Sequence, residues 1–590
     1  MPKISSTLMH RLWLHLSSTR KTQIIFVLLL SIATSVLEIA SISSLLPLLS
    51  ALIDPRQLIK LPVIGDFLER FSNSELLFFT SFIFCLLAVL SGVARFSLTV
   101  IQSRLSYSIG SDIALGIYLR VIRRPLIEQL KSNSSDVISA ISVKTEIVVR
   151  QFLFPVLTIV SASVLSLAIV VLLFLASPAV TLVSLLSFGV LYLGVYLFTR
   201  GALRRSGETI DVETGGIIKK VQQGLGAVRD IILDSNHELY EREFVVSDRS
   251  LRRARANIQI ISDVPRYVIE AGGLVFFGIL AYVLSSQGIL TESLPGLGVL
   301  ALGIQRLLPT LQLAYAAWAC IQGAQRAVVS TLEFMDLELP REDRATKPML
   351  FNRSIEVKAL YFSYGEDHNS ILKGIDLHIS RGARIGVVGK TGSGKSTLLD
   401  ILMGLLVPTD GAICVDGVEV DFHEPSGWHR LVAHVPQTIF IADASIGENI
   451  ALGIEPNMID EERVRWCLEK SQLSEFVDQL PKGLDTVVGE HGAWLSGGQR
   501  QRIGIARALY KSARFIVLDE ATSALDESTE AEVMQSIESL GDDITIVMVA
   551  HKLNSLRYCD KIVELRDGEI YRVGSFQEFA KYSNLESGRV

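Results

Sequence analysis

Apolar residues in this chain are not evenly spread. Up to about residue 326 they fall in long runs divided by polar stretches, and after about residue 354 the pattern becomes that of an ordinary α/β domain. Runs of about 20 apolar residues are long enough to cross a bilayer as helices. Six such spans are predicted, at roughly 22–53, 76–102, 152–176, 179–199, 267–286 and 294–325. The third and fourth meet at a tight "SPA" turn containing Pro178. The stretches 103–150 and 200–266 are long and polar with apolar periodicity, as in "IALGIYLRVIRRPLIEQL". They read as helices that leave the membrane, turn near Pro125–Ser135 and Arg229–Glu238, and return. Those turns are candidates to touch a cytoplasmic motor. The stretch of about 54–75, with "LIKLPVIGDFLERF", reads either as a short amphipathic helix on the outer surface or as an ordinary loop.

Charge orients this layout. Arg104, Arg120, Arg123, Arg124, Lys131, Lys144 and Arg150 lie in the first long loop, and Arg204, Arg205, Lys219, Lys220, Arg252, Arg253 and Arg255 in the second. Residues 287–293 and the turn between the third and fourth spans carry no Lys or Arg. The positive-inside rule then places the N-terminus, both long loops and the C-terminal half in the cytoplasm. Composition adds little beyond this. Mean hydropathy is +0.39, high for a soluble protein. The net charge of −6 averages two unlike halves of the 590 residues. The five cysteines show no metal or redox spacing and fit a reduced compartment. The basic start, "MPKISSTLMHRLWLHLSSTRK", has no A-x-A-type site after a short apolar core, so no cleavable signal is expected. The expected division is a cytoplasmic segment 1–21, a six-helix transmembrane domain 22–326, a linker 327–353 and a nucleotide-binding α/β P-loop domain 354–590.

The chemistry sits in that last domain. "GVVGKTGSGKST" holds G-x-x-x-x-G-K-S at Gly389–Ser396, between the strand-like "RIGVV" and the helical "TLLDILMGLL". This is the strand–loop–helix context in which backbone N–H groups cradle phosphates. The residues assigned to that cradle are Gly389, Lys390, Thr391, Gly392, Ser393, Gly394, Lys395, Ser396 and Thr397. Lys395 pairs with the β- and γ-phosphates and Ser396 coordinates Mg²⁺. "RFIVLDE" is an apolar strand ending in two acids, of which Asp519 holds the Mg²⁺ shell and Glu520 polarises an attacking water. "LSGGQ" is a small-residue turn before a helical run; Ser496 and the amides of Gly497, Gly498 and Gln499 can hold a further phosphate.

The order of these strings closely resembles the ABC-transporter ATPase. It runs from the phosphate loop through Gln437 in "HVPQ", "LSGGQ" at 495–499, "VLDE" at 517–520 and "SALD" at 523–526 to His551 in "VMVAHKL", with Tyr364 in "FSY" upstream. The resemblance implies that Tyr364 stacks on adenine and that Gln437 reaches the Mg²⁺ and γ-phosphate. It also implies that His551 contacts the γ-phosphate, that Asp526 belongs to the ATP site, and that the signature loop of one subunit closes the ATP site of the other. ATP and Mg²⁺ are the expected cofactors. Lys552 stands where Arg is common, and "GEHG" at 489–492 replaces a more usual "GERG".

One membrane half with one motor resembles an ABC exporter half-transporter. A second copy of the chain is the expected partner, with a heterodimer the alternative. No protease domain precedes the first span, which argues against exporters that cleave leader peptides. The six spans exclude a soluble ABC ATPase of repair or translation, and no nucleic-acid partner is expected. A channel or regulator on the same frame commonly carries degenerate ATP-site residues, which are absent here. "EIASISSLLPLLSAL" at 38–52, "VPRYVIEAGG" at 264–273 and "LALGIQRLLP" at 300–309 look like bacterial flippases of lipid-linked oligosaccharides serving N-glycosylation. The implied substrate is an amphipathic pyrophosphate-linked lipid moved across the bacterial inner membrane; the alternative is another lipid, a drug or a peptide.

Arg95, Arg266 and Arg306 fall in or at the edge of spans two, five and six. Helical rise puts Arg306 about 18 Å from the outer end, near the midplane, and Arg95 about 28 Å from it. A ladder of guanidinium groups suits a pyrophosphate, which accepts forked hydrogen bonds. The alternatives are an ion pair of Arg306 with Glu38 or Glu270, snorkelling of Arg95, and simple positive-inside placement of Arg266.

Overall fold

The computed structural model describes residues 2–53, 72–176, 178–286, 294–339, 349–365, 370–422, 425–521, 527–538, 541, 543–550 and 553–587. The chain divides into two compact units. The first comprises Met1–Arg124 and Lys131–Pro340, and the second Pro125–Leu130 and Arg341–Val590.

The first unit is built from α1 (Pro2–His15), α2 (Ser18–Ser43), α3 (Leu45–Ile53), α4 (Asn73–Ile122), α5 (Ser134–Leu175), α6 (Pro178–Gly226), α7 (His237–Ser286) and α8 (Leu294–Met335). Local chemistry sets several helix starts. Ser17 caps α2 by accepting from the Arg20 amide, and Ser72 with Glu75 forms a capping box at the start of α4. The polar loops expected from sequence are continuations of the membrane helices: α4, α6 and α7 each run about 50 residues. The returns are short. Asn133 caps α5, and Ser235 takes a left-handed conformation at φ 55° after the segment Val228–Asp234. In α5 the backbone widens into π-helical turns at Ala140–Lys144 and Val148–Leu153, a local irregularity often found at functional positions.

Among the described residues, α2, α4, α5 and α6 are long and apolar enough to cross a membrane. The predicted fifth and sixth spans lie in α7 and α8, whose side chains are described only in part. The expected amphipathic segment at 54–75 lies largely outside the described residues. Only 11% of the apolar window of α4 is buried. Its open face, with Phe78, Phe82, Val89 and Phe96 exposed, calls for lipid or another chain as a solvent. The unit has its own core, in which Leu8 and Leu12 of α1 join Ile109, Ile113 and Ile117 of α4, Phe152 of α5 and Val328 of α8. Polar groups tie the same helices. Lys144 on α5 is buried and sits 2.7 Å from Asp211 on α6, and the Ser330 hydroxyl on α8 donates to Asp211 at 2.9 Å. A buried pair of this kind is costly to break from one side.

The second unit holds two sheets. Strands β1 (Ser354–Phe362), β2 (Leu372–Ser380), β3 (Arg384–Gly389), β4 (Asp410–Val415), β5 (Val418–Glu419), β6 (Val432–Val435), β7 (Phe515–Asp519), β8 (Thr545–Val549), β9 (Lys561–Arg566) and β10 (Glu569–Gly574) contribute. The first sheet is antiparallel in the order β2-β1-β4-β5. The second runs β10-β9-β3-β8-β7-β6, parallel from β9 to β6 with β10 antiparallel at one edge. Its central strands are buried along nearly their whole length: β7 reads Phe515, Ile516, Val517, Leu518, and β8 is buried throughout. Continuous apolar runs are what a parallel sheet covered on both faces requires. The fold class expected from sequence, a helical membrane domain followed by an α/β P-loop domain, is the one observed. Ile127, in the short segment Leu126–Lys131, packs against the core of this unit.

Candidate functional site

The parallel sheet brings the predicted catalytic strings to one edge. Val387 of β3 pairs with Val549 of β8, which pairs with Asp519 of β7, and Leu518 pairs with Val435 of β6. The phosphate loop leaves β3 after Gly389, Glu520 follows Asp519, and Gln437 lies two residues past Val435. All emerge at the carboxyl ends of parallel strands, where ligands of open α/β sheets bind.

The loop itself is tight. A Cβ on Gly389 would lie 2.4 Å from the Leu565 carbonyl and 2.6 Å from Ser393 Oγ, so no side chain fits there. Gly392 and Gly394 take φ of +84° and +97°, in the region open to glycine. The α9 helix (Lys395–Leu402) starts directly after the loop. The Lys395 ammonium turns back to donate to the carbonyls of Gly389 at 2.9 Å and Lys390 at 3.1 Å. Ser393 Oγ is buried and has no hydrogen-bond partner. A buried orphan hydroxyl, a cation held by loop carbonyls and a helix N-terminus together fit a polyphosphate. Tyr364 stands beside the loop, with its hydroxyl 3.3 Å from Thr397 Oγ1 and its ring edge-on to Phe362.

Glu520 holds φ +49°, a strained value for a non-glycine residue, and its N–H donates to the Val549 carbonyl at 3.1 Å. Strand β8 thus fixes the backbone from which this carboxylate projects. Asp400 on α9 faces the same corner. Burial and the charge of Asp519 push its carboxyl up to about 6. Neutral Asp400 is favoured in the folded protein, so with rising pH stability is lost between about pH 4 and 6 and stays lost above. Asp400→Asn is therefore expected to stabilise nucleotide-free protein at pH 7.5, on the order of 1–2 kcal/mol, and to gain nothing at pH 4. Melting temperatures at the two pH values check this; an equal gain at both would contradict it.

Ser496 caps α10 (Gly497–Tyr510) in a reciprocal box: the Gln499 amide donates to Ser496 Oγ at 3.2 Å, and the Ser496 amide to Gln499 Oε1 at 2.8 Å. Among the described residues, no hydrogen bond joins Ser496–Gln499 to the phosphate loop of the same chain. The signature helix instead meets the Gln437 segment, since Gln501 Nε2 donates to the Gln437 carbonyl at 2.8 Å. The Gln437 side chain is exposed. His551 and Asp526 lie outside the described residues.

Sequence reading missed the brace behind Gln437. Asn449 is fully buried; its side-chain oxygen accepts from the Ala442 amide at 2.9 Å and from Arg507 Nη2 at 2.8 Å. Arg507, on α10, also donates to the Phe440 and Asn449 carbonyls. Burial pulls its guanidinium down to about 10. This network pins the segment following Gln437 to the signature helix.

In the membrane helices both carboxylates that the sequence offered as alternative partners of Arg306 contact another arginine. Glu38 is buried and lies 2.9 Å from Arg95, and Glu270 lies 2.8 Å from Arg266 one helical turn away. Arg306 lies within α8, and its side chain is outside the described residues. Arg95 and Arg266 are thus each neutralised by a local partner.

The ABC transporter family matches residues 372–523, which hold the phosphate loop, the signature and the acidic pair. The sequence is 28% identical over 506 residues, 85% of each chain, to the ATP-dependent lipid A-core flippase of Ralstonia nicotianae. The fold matches a bacterial Atm1-family ABC exporter solved with ATP bound, with a TM-score of 0.74, 20% identity and 96% of both chains covered. The chain is an ABC exporter half-transporter. Another relative, the leukotoxin translocation ATP-binding protein of Mannheimia glucosida, is 37% identical over 283 residues, 48% of this chain and 39% of that protein. This ABC exporter is an integral membrane protein and an ATPase; its second unit binds nucleotide. Half-transporters of this fold generally act as dimers.

Proposed function

We propose that the chain is an ATP-driven flippase that moves an amphipathic anionic lipid, a lipid-linked pyrophosphate oligosaccharide, from the inner to the outer side of a bacterial inner membrane. The supporting observation is twofold. The flippase relative matches over 85% of the chain, membrane half included, whereas the leukotoxin relative matches over 48%. Arg95, Arg266 and Arg306 place guanidinium groups at several depths of the membrane half. Within this reading Arg306 is the principal head-group contact, and the pairs Arg95–Glu38 and Arg266–Glu270 exchange a carboxylate for a phosphate as the lipid enters.

The working unit is a homodimer with both ATPase domains in the cytoplasm. Lys395 and the amides of Gly389–Thr397 hold the phosphates of ATP, and Tyr364 packs on the adenine. Ser396, Gln437 and Asp519 would hold Mg²⁺, which neutralises phosphate charge when bound. Glu520 orients the attacking water and takes its proton, and His551 contacts the γ-phosphate. Ser496–Gln499 close the site of the partner copy, and Asp526 belongs to the ATP site; among the described residues no hydrogen bond joins Ser496–Gln499 to the phosphate loop of their own chain, which favours this. The test is ATPase activity in lipid nanodiscs. A polyprenyl diphosphate glycan is expected to stimulate hydrolysis where the neutral polyprenol does not. Equal stimulation by a cationic drug, with none by the diphosphate, would contradict the reading.

A further inference from the structure

The first unit carries a groove between α6 and α7 that the transport reading has not used. Its volume is about 510 Å³, and Arg205, Arg249 and Arg253 line it together with the neutral donors Ser206, Thr209, Ser250 and Asn257. No carboxylate lines it. Helical spacing explains the clustering. Residues 246, 249, 250, 253, 254 and 257 form one stripe along α7, and 205, 206 and 209 face it from α6. The neighbouring acids are engaged elsewhere: Glu208 pairs with Arg204 and Arg326, and Asp248 pairs with Arg252. Among the described residues, no carboxylate pairs with Arg205, Arg249 or Arg253. Three guanidinium groups converging without a counter-charge raise the local potential and attract anions.

Placement narrows the anion. Arg205 lies six residues past the apolar stretch that ends at 199, about 9 Å along the helix. The head-group layer extends about 5–8 Å beyond the hydrocarbon. The groove therefore begins just below that layer on the cytoplasmic side. It lies below the layer of phospholipid phosphates, where a free diphosphate, or a diphosphate head group drawn out of the leaflet, reaches it. Guanidinium forks match the paired oxygens of a diphosphate, and the serine, threonine and asparagine groups supply neutral donors to the remaining oxygens.

We propose that this groove is a cytoplasmic loading site for a diphosphate group, which it captures before the substrate enters the membrane cavity. The proposal rests on the reading of the chain as an exporter of a diphosphate-bearing lipid. Arg204, Arg252 and Arg255 supply an internal control, because they stand on the same helices, carry the same charge and do not line the groove.

The experiment uses the full-length dimer in detergent with saturating ADP, so that the phosphate loop is filled. Binding of farnesyl diphosphate, inorganic pyrophosphate and farnesol is measured by calorimetry. The variant Arg205→Gln/Arg249→Gln/Arg253→Gln is expected to weaken diphosphate binding by about tenfold or more. The variant Arg204→Gln/Arg252→Gln/Arg255→Gln is expected to stay within about twofold. A triple Arg→Lys change in the groove keeps the charge and is expected to recover part of the affinity, which separates binding from misfolding. Farnesyl diphosphate binding much tighter than pyrophosphate identifies a lipid head group; equal binding identifies a free anion at the same site. The proposal is overturned if the groove variant binds like wild type or if the control loses as much. It is also overturned if the groove variant elutes as a monomer, since the groove is then a subunit interface. Groove variants that bind like wild type and are still stimulated by lipid diphosphate would sink the groove and leave the transport reading standing. Wild type that neither binds lipid diphosphate nor responds to it in ATPase assays would sink the transport reading.

Discussion

Replacing Glu520 with glutamine is expected to slow ATP hydrolysis on the order of 100-fold or more while ATP binding persists. The residue follows Asp519 at the end of β7, at φ +49°, with its N–H held by the Val549 carbonyl. Glutamine keeps the shape and the backbone conformation and removes the basic oxygen proposed to accept the water proton. The phosphate loop is untouched, so Lys395 and the loop amides still hold nucleotide. The variant should accumulate an ATP-bound closed dimer. Phosphate release and nucleotide retention on purified protein check both halves of the expectation. Turnover at the wild-type rate would remove Glu520 from its role, whereas loss of ATP binding would indicate a structural defect instead.

Arg306→Ala is expected to reduce transport of a pyrophosphate-linked lipid by about tenfold or more and to leave basal ATP hydrolysis within about twofold. Arg306 lies in α8, near the predicted midplane, where an unpaired guanidinium is disfavoured. The carboxylates that the sequence offered as its partners are in contact with other arginines, Glu38 with Arg95 and Glu270 with Arg266. Head-group binding is the proposed account of why this position keeps its charge, and an ion pair with Glu38 or Glu270 is the alternative. Arg306→Lys should recover only part of the transport, because lysine keeps the charge and loses the planar fork. A structural role predicts a different pattern: lower thermal stability in Arg306→Ala, rescued by Glu38→Gln or Glu270→Gln. Measuring lipid transport and melting temperature on the same preparations separates the two.

The ATP site was legible because its chemistry is local. A phosphate loop needs glycines and a lysine at fixed spacing between a strand and a helix, and a catalytic acid pair needs the end of a buried strand; both patterns lie within a dozen residues. Hydropathy likewise marked the membrane segments, since bilayer thickness fixes their length. What escaped is what depends on distant pairing. Asn449 and Arg507 are 58 residues apart, and no periodicity announces that both are buried against one segment. Asp400 looks like one polar position in a helix until α9 brings it to Asp519. The charges of Glu38, Arg95, Arg266 and Glu270 were visible, but their pairing depends on helix rotation and packing. Arg266 and Glu270 sit at i and i+4, a spacing that offered the pair from sequence. Glu38 and Arg95 offered no such signal. The unpaired stripe at Arg249 and Arg253 was visible only as loop charge until α6 supplied Arg205 opposite it.

The most direct measurement is ATP-dependent lipid movement by the wild-type protein in sealed proteoliposomes. A fluorescent polyprenyl diphosphate glycan is placed in the leaflet that faces the ATPase domain, and its arrival in the other leaflet is followed by quenching. Transfer that requires ATP, stops in Glu520→Gln and is absent for the neutral polyprenol is the predicted result. ATP hydrolysis at normal rates with no transfer of the diphosphate lipid would contradict the account.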